Sequence, residues 1–600
     1  MLGRRLRHMF RRHWQGAVQW REKLVLKEEA FHLVLAGFVG LIGGFVNVFF
    51  YYGGEMVSRI FLHTAGDPVE EAETFVPLQR LLVPTLGGLA AGLILHWGLR
   101  LVGKQGTSDM LEAVVAGDGR LPLRTQLVKA GSALLSIVSG ASIGREGGIV
   151  QLSATVASKL GQWARWPPYR LRLLVGCGAA AGIASVYNAP IAGAVFASLI
   201  VLGNFSMNLF APLVCASVTA TMTSRYFFGI EPWYDAPKFP PTAPIQLPWF
   251  LLLGILCGSA AALFLKLLRV STAQFEKSRL PIYLRMMLAG LAVGIIAIKL
   301  PEICGNGYYV TNNILKGGYE DNAHAIPQLS LLFAFKLIAT VIVVGAGTVG
   351  GVFTPTLFIG ATTGALFGAA IHQFHSSENL PIGAFALVGM GATLAGTTKS
   401  PLLAIIMAFE ISLDYSLVPA VMLACVVSVL VAWQLYPEGI YTEHLRIKGI
   451  SLQRESEQAG AAMDKTIGDL MQAPVPPMRE TTTVRELAER FLANSNNFIP
   501  IVDEQKRLIG IVALHDLKDF LNSTQHLGSV IAYDLMRPPP KTLTPGQRLL
   551  DALPVVLQSE LRNVPVVNSP VENQLVGSVS RAEVLAIFSE AIAEKSKPTG

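Results

Sequence analysis

The chain is poor in charge and in the residue patterns of catalysis. Of its 600 residues only 15% are charged against 52% hydrophobic, and mean hydropathy is +0.47. Those values exclude a soluble protein of this length and imply a polytopic membrane protein. The five cysteines (Cys177, Cys215, Cys257, Cys304 and Cys425) show no Cys-x-x-Cys or Cys/His spacing. Neither a metal site nor a disulfide framework is indicated. No Asp, Glu or His occurs from Gly147 through Ile230, so that apolar stretch offers no carboxylate or imidazole to carry a proton. The soluble part has no nucleophile–base or metal-ligand spacing, and an enzyme is not expected.

The net charge of +7 is not a nucleic-acid signature. Arg4, Arg5, Arg7, Arg11, Arg12, Arg21, Lys23 and Lys27 precede the first apolar run and are opposed only by Glu22. This is the positive-inside pattern, which places the N-terminus in the cytoplasm. Leu6, Met9, Phe10 and Trp14 share one side of a helical wheel, as in an interfacial helix; a mobile basic tail is an equal alternative. No apolar core or cleavage site of a signal peptide precedes about residue 30.

What is present is apolar sequence from about 30 to 445, then ordinary charged sequence to the end. The spanning candidates begin with 30–52 and 80–102. Later runs at 121–139, 144–160, 168–185, 189–203, 208–228, 249–269, 283–300, 328–346, 353–371, 382–397, 401–413 and 417–436 are of unequal length. Several are too short for the ~30 Å of hydrocarbon, and Gly or Pro joins many of them. Broken and re-entrant helices follow, and these survive at membrane depth only where protein or a watery cavity solvates the backbone.

The central stretch is Gly140-Ala141-Ser142-Ile143-Gly144-Arg145-Glu146-Gly147-Gly148-Ile149-Val150. Small residues let a helix stop and restart there, and the restart aims free N–H groups and a positive dipole end at its neighbour, which suits an anion. Arg145 and Glu146 are expected to pair at membrane depth, where a lone charge costs roughly 2.5–3.5 kcal/mol. Similar breaks stand at 103–109, at Gly305-Asn306-Gly307-Tyr308, and at Gly351-Val352-Phe353-Thr354-Pro355, where Pro355 suits a first helical turn. Like breaks in each half point to repeated halves around a central site.

Gly144-Arg145-Glu146-Gly147, Gly305-Asn306-Gly307-Tyr308, Gly351-Val352-Phe353-Thr354-Pro355 and the Tyr441 of Gly439-Ile440-Tyr441 resemble, in order and spacing, the CLC family of chloride channels and chloride/proton antiporters, of bacterial type. The resemblance implies an all-α membrane domain of two inverted repeats, working as a homodimer in a bacterial inner membrane with one anion pathway per subunit. It implies that Glu146 is the gate and that backbone N–H groups around Arg145 to Gly147, and of Val352 and Phe353, ring the chloride. The Tyr441 hydroxyl would close the site from the cytoplasmic side.

Three departures from the family's pattern bear on mechanism. Gly148 replaces a proline after Gly-Arg-Glu-Gly. Gln105 stands where a serine hydroxyl normally meets the central anion, with Thr107 and Ser108 as neighbouring hydroxyls that could stand in. After Asn188-Ala189-Pro190, the inner proton-carrying glutamate of the antiporters is replaced by Leu199 and Ile200. Glu410 and Asp414, late in the apolar region, are read as structural or dimer-facing rather than as a proton path. Ser198, Tyr187 and trapped water could still form a hydrogen-bonded wire.

The tail contains an internal repeat. Asp469-Leu470-Met471 recurs as Asp534-Leu535-Met536, and Phe498-Ile499-Pro500-Ile501-Val502 as Asn563-Val564-Pro565-Val566-Val567, both at an offset of 65 residues. This α/β unit resembles a tandem CBS pair, which in that family often binds adenine nucleotides; Asp516 in the first copy and Ser580 and Glu583 in the second hold the corresponding positions. A purely scaffolding module is the alternative.

The expected organisation is a basic segment (1–29), a membrane domain (30–448), a linker (449–460), two CBS units (461–524 and 528–592, together 461–592) and a tail (593–600). The expected activity is gated chloride transport, channel-like and not strictly proton-coupled, with an antiporter as alternative. No cofactor is required beyond chloride as ligand and the bilayer as partner. A CBS-bearing cation transporter is disfavoured, because it would need intramembrane acidic clusters.

Overall fold

The computed structural model describes residues 28–587, apart from 64–65, 104–108, 204, 206, 320–323, 375–379, 448–465, 494–496, 522–529, 560 and 586. The expected interfacial helix, the 449–460 linker, the 593–600 tail, and Gln105, Thr107 and Ser108 lie outside the described residues. The chain divides into two compact units, Met1–Ile450 and Ser451–Gly600.

In the first unit the apolar runs become helices, because a backbone surrounded by hydrocarbon must satisfy its own hydrogen bonds. Among the described residues seven helices are long and apolar enough to cross a bilayer, including His32–Phe61, Pro77–Val102, Ala325–Gly345 and Val418–Leu435. Helices such as Ile282–Ala297 and Pro401–Ser412 are shorter. The first helix, Glu28–Phe61, continues past the expected end at 52, carrying Gly53 and Gly54 with it. The 189–203 run resolves into Pro190–Phe196 followed by a π-helical segment, Ala197–Val201. Three short helices, Pro68–Thr74, Met110–Val115 and Tyr308–Leu315, were too brief or too polar to register as apolar runs.

The repeat is visible in matching joints. Asn188 (φ 57°, ψ 32°) ends the Pro168–Tyr187 helix in the left-handed region and Pro190 opens the next. Lys399 (φ 57°, ψ 25°) ends Ile382–Thr398 in the same way and Pro401 opens the next. Each pair is preceded by a helix starting just after a glycine break, Glu146–Trp163 in the first half and Phe353–Phe374 in the second. An antiparallel bridge joins the two breaks: Gly144 N–H donates to Gly351 O and Gly351 N–H to Gly144 O, both at 2.8 Å.

The second unit holds two similar hairpins, Phe498–Val502 with Leu508–Ala513 and Asn563–Val567 with Leu575–Ser580, each irregular at the equivalent point. Their connections differ in length, 503–507 against 568–574. Met478–Arg479 adds a parallel strand to the first hairpin. Each core is completed by the segment that opens the other copy: Ile467 is buried with Leu543, Val564 and Val579, and Ala532 with Leu487, Ile499 and Val512. The copies therefore fold as one module.

Candidate anion site

The Gly144–Gly351 bridge sets two helix starts beside each other, Glu146–Trp163 with Arg145 at its N-cap, and Phe353–Phe374 with Thr354 and Pro355 in its first turn. The free N–H groups of such starts favour an anion. The anion seated there is the Glu146 carboxylate. Its Oε1 accepts the Thr354 N–H at 3.0 Å and its Oε2 accepts the Thr354 hydroxyl at 3.0 Å. The Thr354 hydroxyl lies 2.7 Å from that of Tyr187, and all three residues are buried.

Glycine makes this approach possible. A Cβ on Gly147 would lie 2.7 Å from the Gly350 backbone, and one on Gly351 would lie 2.2 Å from Glu146 Oε1. Gly148, standing in place of the expected proline, leaves the helix start intact at Glu146; a Cβ there would come within 3.2 Å of the Phe50 ring.

The expected Arg145–Glu146 pair does not form. Consecutive helical residues do not face each other, and the two side chains line different cavities. The Arg145 guanidinium lies 4.2 Å from the Trp233 ring centroid, with Tyr51 at 5.6 Å and Tyr308 at 5.4 Å, a cation–π cage. That cage lines a cavity of about 510 Å³ shared with Asp67 and Glu71.

Glu146 lines the other cavity, of about 290 Å³, together with Gly147, Val352, Tyr441, Lys129 and Gln126. Tyr441 is placed by the Ile440 N–H, which donates to Thr397 O at 2.9 Å, and its ring meets Phe196 edge-on at 5.5 Å. Of the expected anion-binding residues, Glu146, Gly147, Val352 and Tyr441 thus come together around one space. Phe353 is buried against the Tyr187 ring, 5.1 Å between centroids, and does not line this cavity.

Leu199 and Ile200 sit half-buried in the π-helical segment Ala197–Val201. Glu410 caps the adjoining helix, its carboxylate accepting the N–H groups of Ile191 at 2.9 Å and Ala192 at 2.6 Å. Asp414 accepts from the N–H groups of Phe239 and Ser416 at 3.0 and 2.9 Å. Both acids do structural work where they stand.

Two residues of this region were missed from sequence. Thr354 lay inside a quoted motif, and its hydroxyl in the first turn of a helix was the available signal. Lys336 is the one charge in the 328–346 run and is fully buried. Its ammonium donates to the carbonyls of Ile303 at 2.9 Å and Gly305 at 2.8 Å, tying down the Gly305-Asn306-Gly307-Tyr308 break. Pairing with backbone carbonyls is a usual solution for an intramembrane lysine.

In the soluble unit, Asp516 binds the Arg537 guanidinium and accepts the Ala513 N–H at 3.3 Å. Glu583 meets Gln472 at 3.4 Å, while Ser580 closes the last strand half-buried. The three candidates fall at equivalent places of the two copies rather than in one cluster.

Residues 87–433, more than half of the chain, match the family described as voltage gated chloride channel. The chain belongs to that family. Residues 467–523 and 531–590 each match the CBS domain. A relative from Ralstonia nicotianae described as a putative chloride channel protein ClcB-like is 41% identical over 421 residues, covering 69% of this CLC chain and 96% of its own length. The voltage-gated ClC-type chloride channel ClcB of Escherichia coli is 32% identical over 423 residues, covering 69% and 98%. Among solved structures, a slow cyanobacterial Cl⁻/H⁺ antiporter matches with TM-score 0.59 at 25% identity, over 70% of this chain and 98% of its own. A eukaryotic CLC transporter matches over 92% of this chain and 97% of its own, with TM-score 0.52 at 18% identity, a likeness of fold alone.

Proposed function

We propose that the chain carries chloride, and other small anions, across a bacterial inner membrane through one pathway in each subunit of a homodimer, with Glu146 as gate. One observation carries this reading: a carboxylate already occupies the donors at the start of the Phe353–Phe374 helix, beside the start of its own helix. A tethered carboxylate there is a rival to a free anion, and protonation removes its charge and its claim on the donors. N–H groups and a phenol bind without a full positive charge, so the anion can also leave. The relatives named as chloride channels support the choice of anion.

Flux is channel-like in this reading, because Leu199 and Ile200 occupy the place of the inner proton carrier. A coupled antiporter is the second reading, favoured by the likeness to the cyanobacterial Cl⁻/H⁺ antiporter. The basic N-terminal segment supports a cytoplasmic N-terminus; in this reading the C-terminus is cytoplasmic too, and the CBS pair there would bind an adenine nucleotide or brace the dimer.

The test is chloride release from vesicles holding the purified full-length chain, with a potassium ionophore to relieve charge. Release well above protein-free vesicles is expected, and faster release at low pH. No release from a folded wild type or from folded Glu146→Ala overturns the proposal.

A further inference from the structure

The hydrogen bonds at Glu146 have a fixed direction. An ionised carboxylate only accepts, so the Thr354 hydroxyl must give its single proton to Oε2. The Tyr187 hydroxyl, 2.7 Å behind it, must then donate to Thr354 Oγ1. Both hydroxyls therefore point, in series, at the space the carboxylate fills. Both residues are 1% exposed, and Tyr187 is packed against the Phe353 ring beside the left-handed joint at Asn188.

When the Glu146 side chain withdraws, the Thr354 N–H and hydroxyl lose their acceptor together. Buried donors without a partner are costly, and a small anion in the vacated space satisfies both at once. We propose that the hydroxyls of Thr354 and Tyr187 are an anion-binding pair: Thr354 donates to the transported anion in place of Glu146, and Tyr187 polarises Thr354 from behind. The pair would do for this chain what the family's serine does where Gln105 stands here. Hydroxyl donors reward a compact anion that accepts strongly, such as chloride, over a diffuse one such as thiocyanate.

This inference rests on the anion-transport reading, so it is tested where the gate is already absent. In full-length Glu146→Ala, chloride affinity by calorimetry and the chloride-to-thiocyanate flux ratio in vesicles are compared with the same protein carrying Thr354→Val, Thr354→Ser or Tyr187→Phe. Thr354→Val should weaken chloride binding about ten-fold and reduce the chloride preference similarly, since a hydrogen bond to a charge is lost. Thr354→Ser should restore both, and Tyr187→Phe should cost roughly two- to five-fold by removing the polarising donor. Restoration by serine separates a ligand from a packing role. Should Thr354→Val not fold, Tyr187→Phe reads the same pair with its ring kept. Unchanged affinity and preference in the folded variants overturns the anion-binding pair while leaving chloride transport by Glu146→Ala standing; loss of flux in Glu146→Ala itself counts instead against the proposed function.

Discussion

Thr354 grips the Glu146 carboxylate twice, through its backbone N–H and its hydroxyl, each at 3.0 Å, although the two residues lie 208 positions apart. With Glu146 as the proposed gate, its closed position is a contact between the two halves of the membrane unit, made beside the Gly144–Gly351 bridge. Anything that loosens this contact should free the pathway, and anything that removes the carboxylate should free it permanently.

Glu146→Ala and Glu146→Gln should both leave flux unblocked and nearly flat with pH. A neutral side chain has no charge to compete at the helix starts and nothing to titrate. At pH 7 each variant should match or exceed the flux of the wild type at low pH. Flux from Glu146→Ala vesicles that still follows pH as the wild type does would show that the gate lies elsewhere.

Gly351→Ala is a milder way to the same end. Its new Cβ would lie 2.2 Å from Glu146 Oε1, the movable end of a side chain, so the carboxylate should yield before the backbone does. Overpacking of this kind typically costs about 1–3 kcal/mol, enough for a roughly five-fold or larger rise in flux at pH 7. The contrast is Gly147→Ala, whose Cβ would meet Gly350 backbone at 2.7 Å and should impair folding instead. Wild-type gating in a folded Gly351→Ala protein would contradict the closed position described for Glu146.

Tyr441 faces the same cavity as Glu146 and is held from behind by Phe196 and by the Ile440 N–H. Tyr441→Phe removes one donor from that space, worth about 0.5–1.5 kcal/mol net, and should weaken chloride binding roughly two- to ten-fold. Tyr441→Ala should weaken it at least as much, and neither should stop the chain folding. Calorimetry that returns wild-type chloride affinity for both would remove Tyr441 from the anion path.

Much of this was legible because helix breaks in a membrane are costly and therefore visible as Gly and Pro within apolar runs. Gly144-Arg145-Glu146-Gly147 and Gly351-Val352-Phe353-Thr354-Pro355 marked both helix starts, and the matching joints at Asn188 and Lys399 follow from Pro190 and Pro401. Sequence adjacency misled at Arg145, since helical geometry sends neighbouring side chains apart and three aromatic rings distant in the chain were waiting for the guanidinium. Thr354 and Tyr187 escaped notice as a pair because their contact spans 167 positions and depends on the fold alone. The 189–203 stretch stood out only as an apolar run, since nothing in its composition marks the change to π-helical geometry after Phe196.

In the CBS module the Asp516 carboxylate already holds Arg537, whose side chain is 56% exposed. A nucleotide ribose at Asp516 would have to displace that guanidinium. The Asp516 side chain is only 13% exposed, so losing this rival should count: Arg537→Ala should tighten ATP binding by the full-length protein, and Asp516→Ala should abolish it. If neither the wild type nor Arg537→Ala binds ATP in a calorimeter, the module is a scaffold.

Anion flux is expected to run without obligatory proton coupling. A fixed exchange ratio needs a carboxylate that meets the anion, which Glu146 supplies, and a separate titratable relay that delivers a proton while the anion path is shut. Leu199 and Ile200 hold the relay's place, no acid or imidazole occurs from Gly147 through Ile230, and Glu410 is engaged in capping the Pro190–Phe196 helix. The hydroxyls of Tyr187 and Thr354 form a short wire from Glu146, but with an ionised carboxylate at its end both protons point toward the gate, so passing one inward requires the whole chain to reverse. The measurement is the zero-flux voltage of full-length protein in vesicles, with the chloride gradient held constant and the pH gradient varied. A voltage that stays at the chloride equilibrium potential fits an uncoupled pathway; one that moves steadily with the pH gradient makes this protein an antiporter and turns attention to water and Ser198 as the inner proton route.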